Sequence, residues 1–283
     1  MLARILPLDT SFDAFGATYL VPEHHEPHVA PGVAVVMPWG NRTQDGVIME
    51  LSDANPEGIP NLKPFSSILS DGAVWATPQH LAVLTDLARR NFLPVHVAMG
   101  LGIPADARRR FLKKGPCPFV RQPLRKLGAE TLAFTADRDG TMKESARLLG
   151  PGLGTWAVLF PDDAMLDDFV RRYPEVSAAC TVCRSGDTEA VRFKAYVALS
   201  AAGRPFIGTR PRLTWPLAGY DGLALVEDAL APQLTVLRRP IWCAPVAQAW
   251  RAQGLALRTV ACVPHPETLH RVLAAGGKPE YPA

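Results

Sequence analysis

Short apolar runs separated by turn-forming clusters dominate the first 75 residues. Leu2–Leu6, Tyr19–Val21, Val33–Met37 and Val47–Leu51 are each of strand length. The dividers, Pro22 through Gly32, Pro38-Trp39-Gly40-Asn41 and Asp53 through Pro60, are rich in the Pro, Gly, Asn and Asp that turns demand. This pattern predicts a small β domain. Thr77-Pro78 then supplies an N-cap and a first-turn proline, and Leu81, Leu84, Leu87 and Ala88 recur at helical spacing, predicting a helix that closes the β unit near Arg90. From Glu130 the texture changes to strands alternating with amphipathic helices. Strands are expected at Leu132–Thr135, Trp156–Phe160, Ala178–Val182, Pro205–Gly208, Leu223–Val226, Ile241–Ala244 and Leu257–Val263, with helices near 141–149, 163–172, 188–202 and 245–253. Such alternation implies a doubly wound, mostly parallel sheet, so the fold class is α/β and multi-domain.

At 283 residues, 48% apolar and 20% charged, the chain is long enough for about two domains with ordinary cores. The expected division is 1–104, a basic linker 105–127, a second domain 128–275 and a frayed tail 276–283. A net charge of +3 says little until it is divided along the chain. Residues 1–104 hold five Lys/Arg against ten Asp/Glu, residues 105–126 hold eight against one, and the remainder holds 17 against 16. The positive charge therefore sits in one short segment. Arg108, Arg109, Arg110, Lys113, Lys114, Arg121, Arg125 and Lys126 are its candidate phosphate contacts, since neutralising phosphates releases counterions. A solvated basic helix and loop is the plain alternative.

Five cysteines, an odd number, in a chain without an apolar signal segment point to reduced thiols in a cytoplasmic protein. No run approaches the roughly 20 apolar residues of a membrane span. Cys180-Thr-Val-Cys183 lacks the second pair that zinc needs and reads as two core thiols on a strand. Glu23-His24-His25-Glu26-Pro27-His28 reads as a polar connection between strands, not as a metal site. No nucleophile elbow, triad or paired-carboxylate pattern is present, and no cofactor is implied.

The N-terminal block Leu6-Pro7-Leu8-Asp9, Phe12-Asp13, Tyr19-Leu-Val-Pro22-Glu23, Pro31-Gly32, Met37-Pro38-Trp39-Gly40 and Asn61-Leu62-Lys63 resembles the 3′-DNA-binding domain of the replication-restart helicase PriA, or primosomal protein N′. By that resemblance Phe12, Asp13, Gly40 and Lys63 surround the terminal 3′ nucleotide of a nascent strand. The chemistry is coherent. An aromatic ring can stack a terminal base for roughly 1–3 kcal/mol, a carboxylate can accept from a free 3′-OH, and a lysine can meet the last phosphate. A second register places Ala17-Thr18 where the family has its Phe-Asp pair, which removes the hydroxyl acceptor; both registers remain open here.

In the second half, Pro205-Phe-Ile-Gly208-Thr209-Arg210-Pro-Arg212-Leu-Thr-Trp215-Pro216-Leu, followed by Tyr220-Asp-Gly-Leu-Ala-Leu-Val226, resembles the PriA segment that leads into the Walker B strand. The implied domain is a degenerate first helicase lobe, RecA-like, with Arg210 and Arg212 as further DNA contacts. The active groups are missing. The phosphate-loop position reads Thr135-Ala136-Asp137-Arg138-Asp139-Gly140-Thr141-Met142, with Thr141 for the lysine and Met142 for the magnesium-binding hydroxyl. The acidic motif becomes Glu227-Asp228-Ala229-Leu230. The resemblance thus implies a monomeric, nucleoid-associated pseudohelicase of replication restart, without ATPase activity. Its partners would be forked or D-loop DNA, single-strand-binding protein and other primosome or replicative-helicase-loading proteins. The alternatives are the front piece of an ATP-dependent helicase whose second lobe lies outside this chain, and a small-molecule enzyme or pure interaction protein whose β domain merely resembles a DNA-binding fold.

Overall fold

A computed structural model describes residues 1–8, 16–55, 58–72, 74–114, 127–230, 233–236 and 239–282. The chain divides into two compact units, Met1–Phe119 and Val120–Ala283.

The apolar runs of the first unit form strands β1 (Leu2–Pro7), β2 (Ala17–Leu20), β3 (Ala34–Trp39) and β4 (Arg42–Ser52), joined by a two-residue β5 (Ser67–Ile68). They make an antiparallel sheet in the order β2-β1-β4-β3-β5. The segment that ends in β5 runs from one edge of this sheet to the other. Leu20 N–H donates to the Lys63 carbonyl at 3.0 Å, and Ser66 N–H donates to the Val36 carbonyl at 2.7 Å. The two sheet edges are thereby bridged at Leu20 and Val36, in keeping with the expected barrel-like form. Ile5, Val35, Ile48 and Phe65 fill the interior, each contributing about 1.5–3 kcal/mol by leaving water. Gly46 lets β1 approach β4, since a Cβ there would lie 2.5 Å from the Ile5 Cγ2.

Helix α1 (Pro78–Arg90) closes the unit as the sequence predicts. The Thr77 hydroxyl accepts from His80 N–H at 3.2 Å, and Pro78 occupies a first-turn position where no amide is required. Helices α2 (Val95–Gly102) and α3 (Ala105–Lys114) follow. Residues 105–114 were expected in the linker, yet Phe111 is buried with its ring 5.8 Å from that of Trp75. A basic helix with one apolar face is anchored by that face, so its first half belongs to the folded unit.

In the second unit the strands are β6 (Glu130–Phe134), β7 (Trp156–Phe160), β8 (Thr181–Cys183), β9 (Phe206–Thr209), β10 (Gly222–Val226) and, after a separate β11 (Gln233–Val236) and β12 (Arg239–Trp242), β13 (Ala256–Ala261). Six of them form a parallel sheet in the order β6-β13-β10-β7-β9-β8. Every residue of β10 is buried, as a central parallel strand covered on both faces requires. The connecting helices are α4 (Arg138–Leu148), α5 (Asp163–Arg172), α6 (Pro174–Ala178), α7 (Glu189–Ala201), α8 (Cys243–Ala252) and α9 (Pro266–Ala274).

Three expectations change in this unit. Ala178–Val182 does not begin as a strand, because Pro174 initiates the short α6 and the strand starts at Thr181. Ile241–Ala244 does not join the parallel sheet. β12 pairs antiparallel with β11 instead, and Cys243 opens α8, whose Pro245 lies in the first turn where a missing amide costs nothing. The frayed tail is in fact tied down: Glu280 N–H donates to the Leu132 carbonyl at 2.8 Å and Phe134 N–H to the Glu280 carbonyl at 2.7 Å, extending the pairing beyond β6.

Candidate nucleic-acid interface

Lys63 is exposed and its backbone is locked to β2 by the Leu20 amide. Gly40 forms the turn between β3 and β4 in the left-handed region, φ +61°, with open space around the position of a Cβ. Tyr19 organises these two features. It is buried in β2 beside Leu20, and its hydroxyl donates to the Pro38 carbonyl at 2.6 Å, two residues before Gly40. One strand therefore holds the glycine turn through a side chain and the lysine segment through the neighbouring amide. Burial raises the Tyr19 phenol above its ordinary value, so it stays a neutral donor. Sequence reasoning quoted Tyr19 only as part of a motif; a lone aromatic in a strand carries no signal of such a tie.

Phe12 and Asp13 lie outside the described residues. On either side of them, Leu8 N–H donates to the Asp45 carbonyl, and Gly16, φ +94°, lies against the Ile5 carbonyl. Ala17 and Thr18, the other register, are the first residues of β2. Thr18 precedes Leu20 by two residues, a step of about 7 Å along a strand, and Lys63 is paired to that same Leu20. The structure thus places Thr18 and Tyr19 in β2 and pairs the Lys63 segment to the end of that strand.

Of the basic candidates, Arg109 is exposed on α3, whereas Arg108 and Arg110 are half-buried. The side chains of Lys113 and Lys114, and all of Arg121, Arg125 and Lys126, lie outside the described residues. Arg210 and Arg212 are corrected: neither offers itself to DNA. Arg210 is only 1% exposed and donates to the Leu159 and Val226 carbonyls at 2.9 and 2.5 Å. Arg212 donates to the Cys183 sulfur and the Arg184 carbonyl, and its guanidinium lies 4.5 Å from the Trp215 ring centroid. Both satisfy strand-end or turn carbonyls that burial would otherwise leave unpaired.

The carboxyl ends of the parallel strands, where such sheets usually bind ligands, carry a polar network beside a cavity of about 580 Å³ lined by Arg138, Asp162, Met165, Glu227, Leu230 and Cys262. Asp137 caps α4, accepting from Gly140 N–H at 2.8 Å, so a carboxylate occupies the helix N-terminus that would otherwise face an anion. Thr141 donates to Glu227 at 2.9 Å and lies 2.7 Å from the Thr135 hydroxyl. Because Thr141 has one hydroxyl proton, Thr135 is the donor in that second contact. Glu227 also accepts from Cys262 N–H at 2.9 Å and adopts a left-handed backbone, φ 48°. Asp228 accepts from His265 N–H and the Thr268 hydroxyl. Among the described residues, no group of three His, Cys, Asp or Glu side chains could hold a metal ion.

The first unit is thus built on an antiparallel β sheet whose strand β2 ties together the Gly40 turn and the segment that carries Lys63. Residues 5–104 match the family model of the PriA 3′DNA-binding domain (3′BD). No curated protein matches the chain.

Proposed function

We propose that the protein recognises forked DNA through the nascent 3′ end and that its second unit does not hydrolyse ATP. The observation that carries the first part is the match of residues 5–104 to a domain defined by 3′-DNA binding, with Lys63 at the surface of that match. The arrangement around Tyr19 supports it: the lysine meets the last phosphate while the open Gly40 turn lets backbone approach the terminal sugar. In the register that places Ala17-Thr18 at the family's Phe-Asp pair no carboxylate accepts from the 3′-OH, so end recognition there rests on Lys63 and the Gly40 turn.

The second part is supported by the Thr141–Glu227 bond. A nucleotide site needs open amides and a cation for the phosphates, and here a capping carboxylate and a threonine–glutamate pair fill those positions. In this reading the parallel sheet is a docking scaffold that presents the fork to single-strand-binding protein and helicase-loading partners.

The test compares forks ending in 3′-OH and 3′-phosphate by fluorescence anisotropy. Wild type is expected to prefer the hydroxyl, and Lys63→Ala to lose affinity for both, with a salt slope shallower by about one phosphate contact. Indifference of the wild type to the terminus removes end recognition. Magnesium and ATP are expected to leave the melting temperature unchanged, whereas a concentration-dependent rise reveals a retained nucleotide site.

A further inference from the structure

Phe92 is 87% exposed, more than any other large apolar side chain among the described residues. Solitary exposed apolar residues are ordinary, but this one also has an adverse backbone. The end of α1 is a Schellman turn: Leu93 N–H donates to the Ala88 carbonyl at 2.9 Å, and Asn91 caps the helix with its amide nitrogen 2.9 Å from the Leu87 carbonyl. In such a turn the residue between cap and closing amide is left-handed and is usually glycine. Here it is Phe92, φ 50°. Leu93, next in sequence, turns inward and is buried. A glycine would complete the same turn without strain, and the exposed ring adds no burial to the fold.

The surroundings indicate an occupant. Arg89 and Arg90 form the last turn of α1; Arg89 is exposed, and Arg90 is paired with Asp86 at 2.6 Å. A solvent-facing aromatic three residues along the chain from an exposed guanidinium can stack a base while the cation meets a phosphate. Phe92 lies within the stretch that matches the 3′-DNA-binding domain. We propose that Phe92 stacks on an unpaired base of the DNA held by the first unit, with Arg89 meeting an adjoining phosphate. This rests on the DNA-binding reading above and adds a second contact, separate from the segment that carries Lys63.

The full-length chain is tested by anisotropy on a fork with an unpaired arm and on a blunt duplex. Phe92→Gly is the informative variant, because it removes the ring and relieves the turn, so its melting temperature is expected to hold or rise. Its affinity for the unpaired-arm fork is expected to fall about tenfold, the scale of one base stack. Phe92→Tyr is expected to restore binding. The preference for 3′-OH over 3′-phosphate is expected to survive in Phe92→Gly. Wild-type affinity in Phe92→Gly overturns the proposal, as does failure of Phe92→Tyr to rescue or an equal loss on blunt duplex. If wild type binds no DNA, the reading of the whole first unit fails, and the stacking contact with it.

Discussion

The Thr141 hydroxyl donates to a carboxylate oxygen of Glu227 across 86 residues of sequence. This bond ties the first turn of α4 to the end of β10, the two places a phosphate-binding lobe keeps open for its ligand. Cys262 N–H reaches the same oxygen from the end of β13. Three neighbouring strand ends, those of β6, β10 and β13, are therefore held together by a small polar network.

Removing the hydroxyl tests what that network contributes. Thr141→Val keeps the shape of the side chain but leaves buried Glu227 with one donor fewer. Stability is expected to fall by about 1–3 kcal/mol, the usual cost of an unsatisfied buried acceptor, measured by urea denaturation. No loss indicates that water replaces the hydroxyl.

Arg210 is structural and its replacement is expected to act on folding. Arg210→Met leaves the Leu159 and Val226 carbonyls without their donor, and a loss of at least about 2 kcal/mol is expected. At a temperature where the variant remains folded, its fork affinity is expected to equal that of wild type. A selective loss of DNA binding with normal stability contradicts the buried placement.

Glu144 sets an acid limit on the second unit. Burial pushes its carboxyl up, but the hydrogen bond from Arg147 and the charges of Arg258 and Arg147 outweigh that and hold it below its ordinary value of 4.5. A group depressed by folding stabilises the native state above the unfolded value, and the contribution is lost as pH falls through the folded one. The melting temperature is therefore expected to drop on acidification below pH 4.5, with a shallower drop for Glu144→Gln. Parallel curves for the two proteins would remove Glu144 from the account.

Two thiols are expected to be inert. Burial pushes both Cys180 and Cys243 up to about 11, against the weaker opposing charges of Arg204 and Arg210 respectively. Only the thiolate is nucleophilic, so neither should be alkylated by iodoacetamide at pH 8 until the protein unfolds. Peptide mapping by mass spectrometry reads this directly.

Much of the architecture was legible in local pattern. The Thr77-Pro78 start and the apolar stripe through Leu87 place α1 where it occurs, because capping and helical period are local properties. The unbroken apolar Leu223–Val226 correctly announces a central strand. β5 escaped notice since two residues, Ser67 and Ile68, carry no period. α9 was missed although His265-Pro266 resembles the start of α1, because the expected strand at 257–263 ran almost up to it. The pairing of Glu280 beyond β6 is invisible in a tail of Gly, Lys and Pro, since it depends on an edge formed 150 residues earlier.

Sequence alone determined most of the strands and helices and that the two halves differ in kind. These follow from side-chain period, turn chemistry and residue identity, none of which requires a partner distant in the chain. Tertiary structure decided where the polar groups go. Arg210 looks like a surface cation until the carbonyls of β7 and β10 converge on it, and Lys63 acquires its place only when the Leu20 amide closes the sheet. Backbone donors and acceptors withdrawn from water must find partners, and those partners come from whichever strands the fold sets side by side.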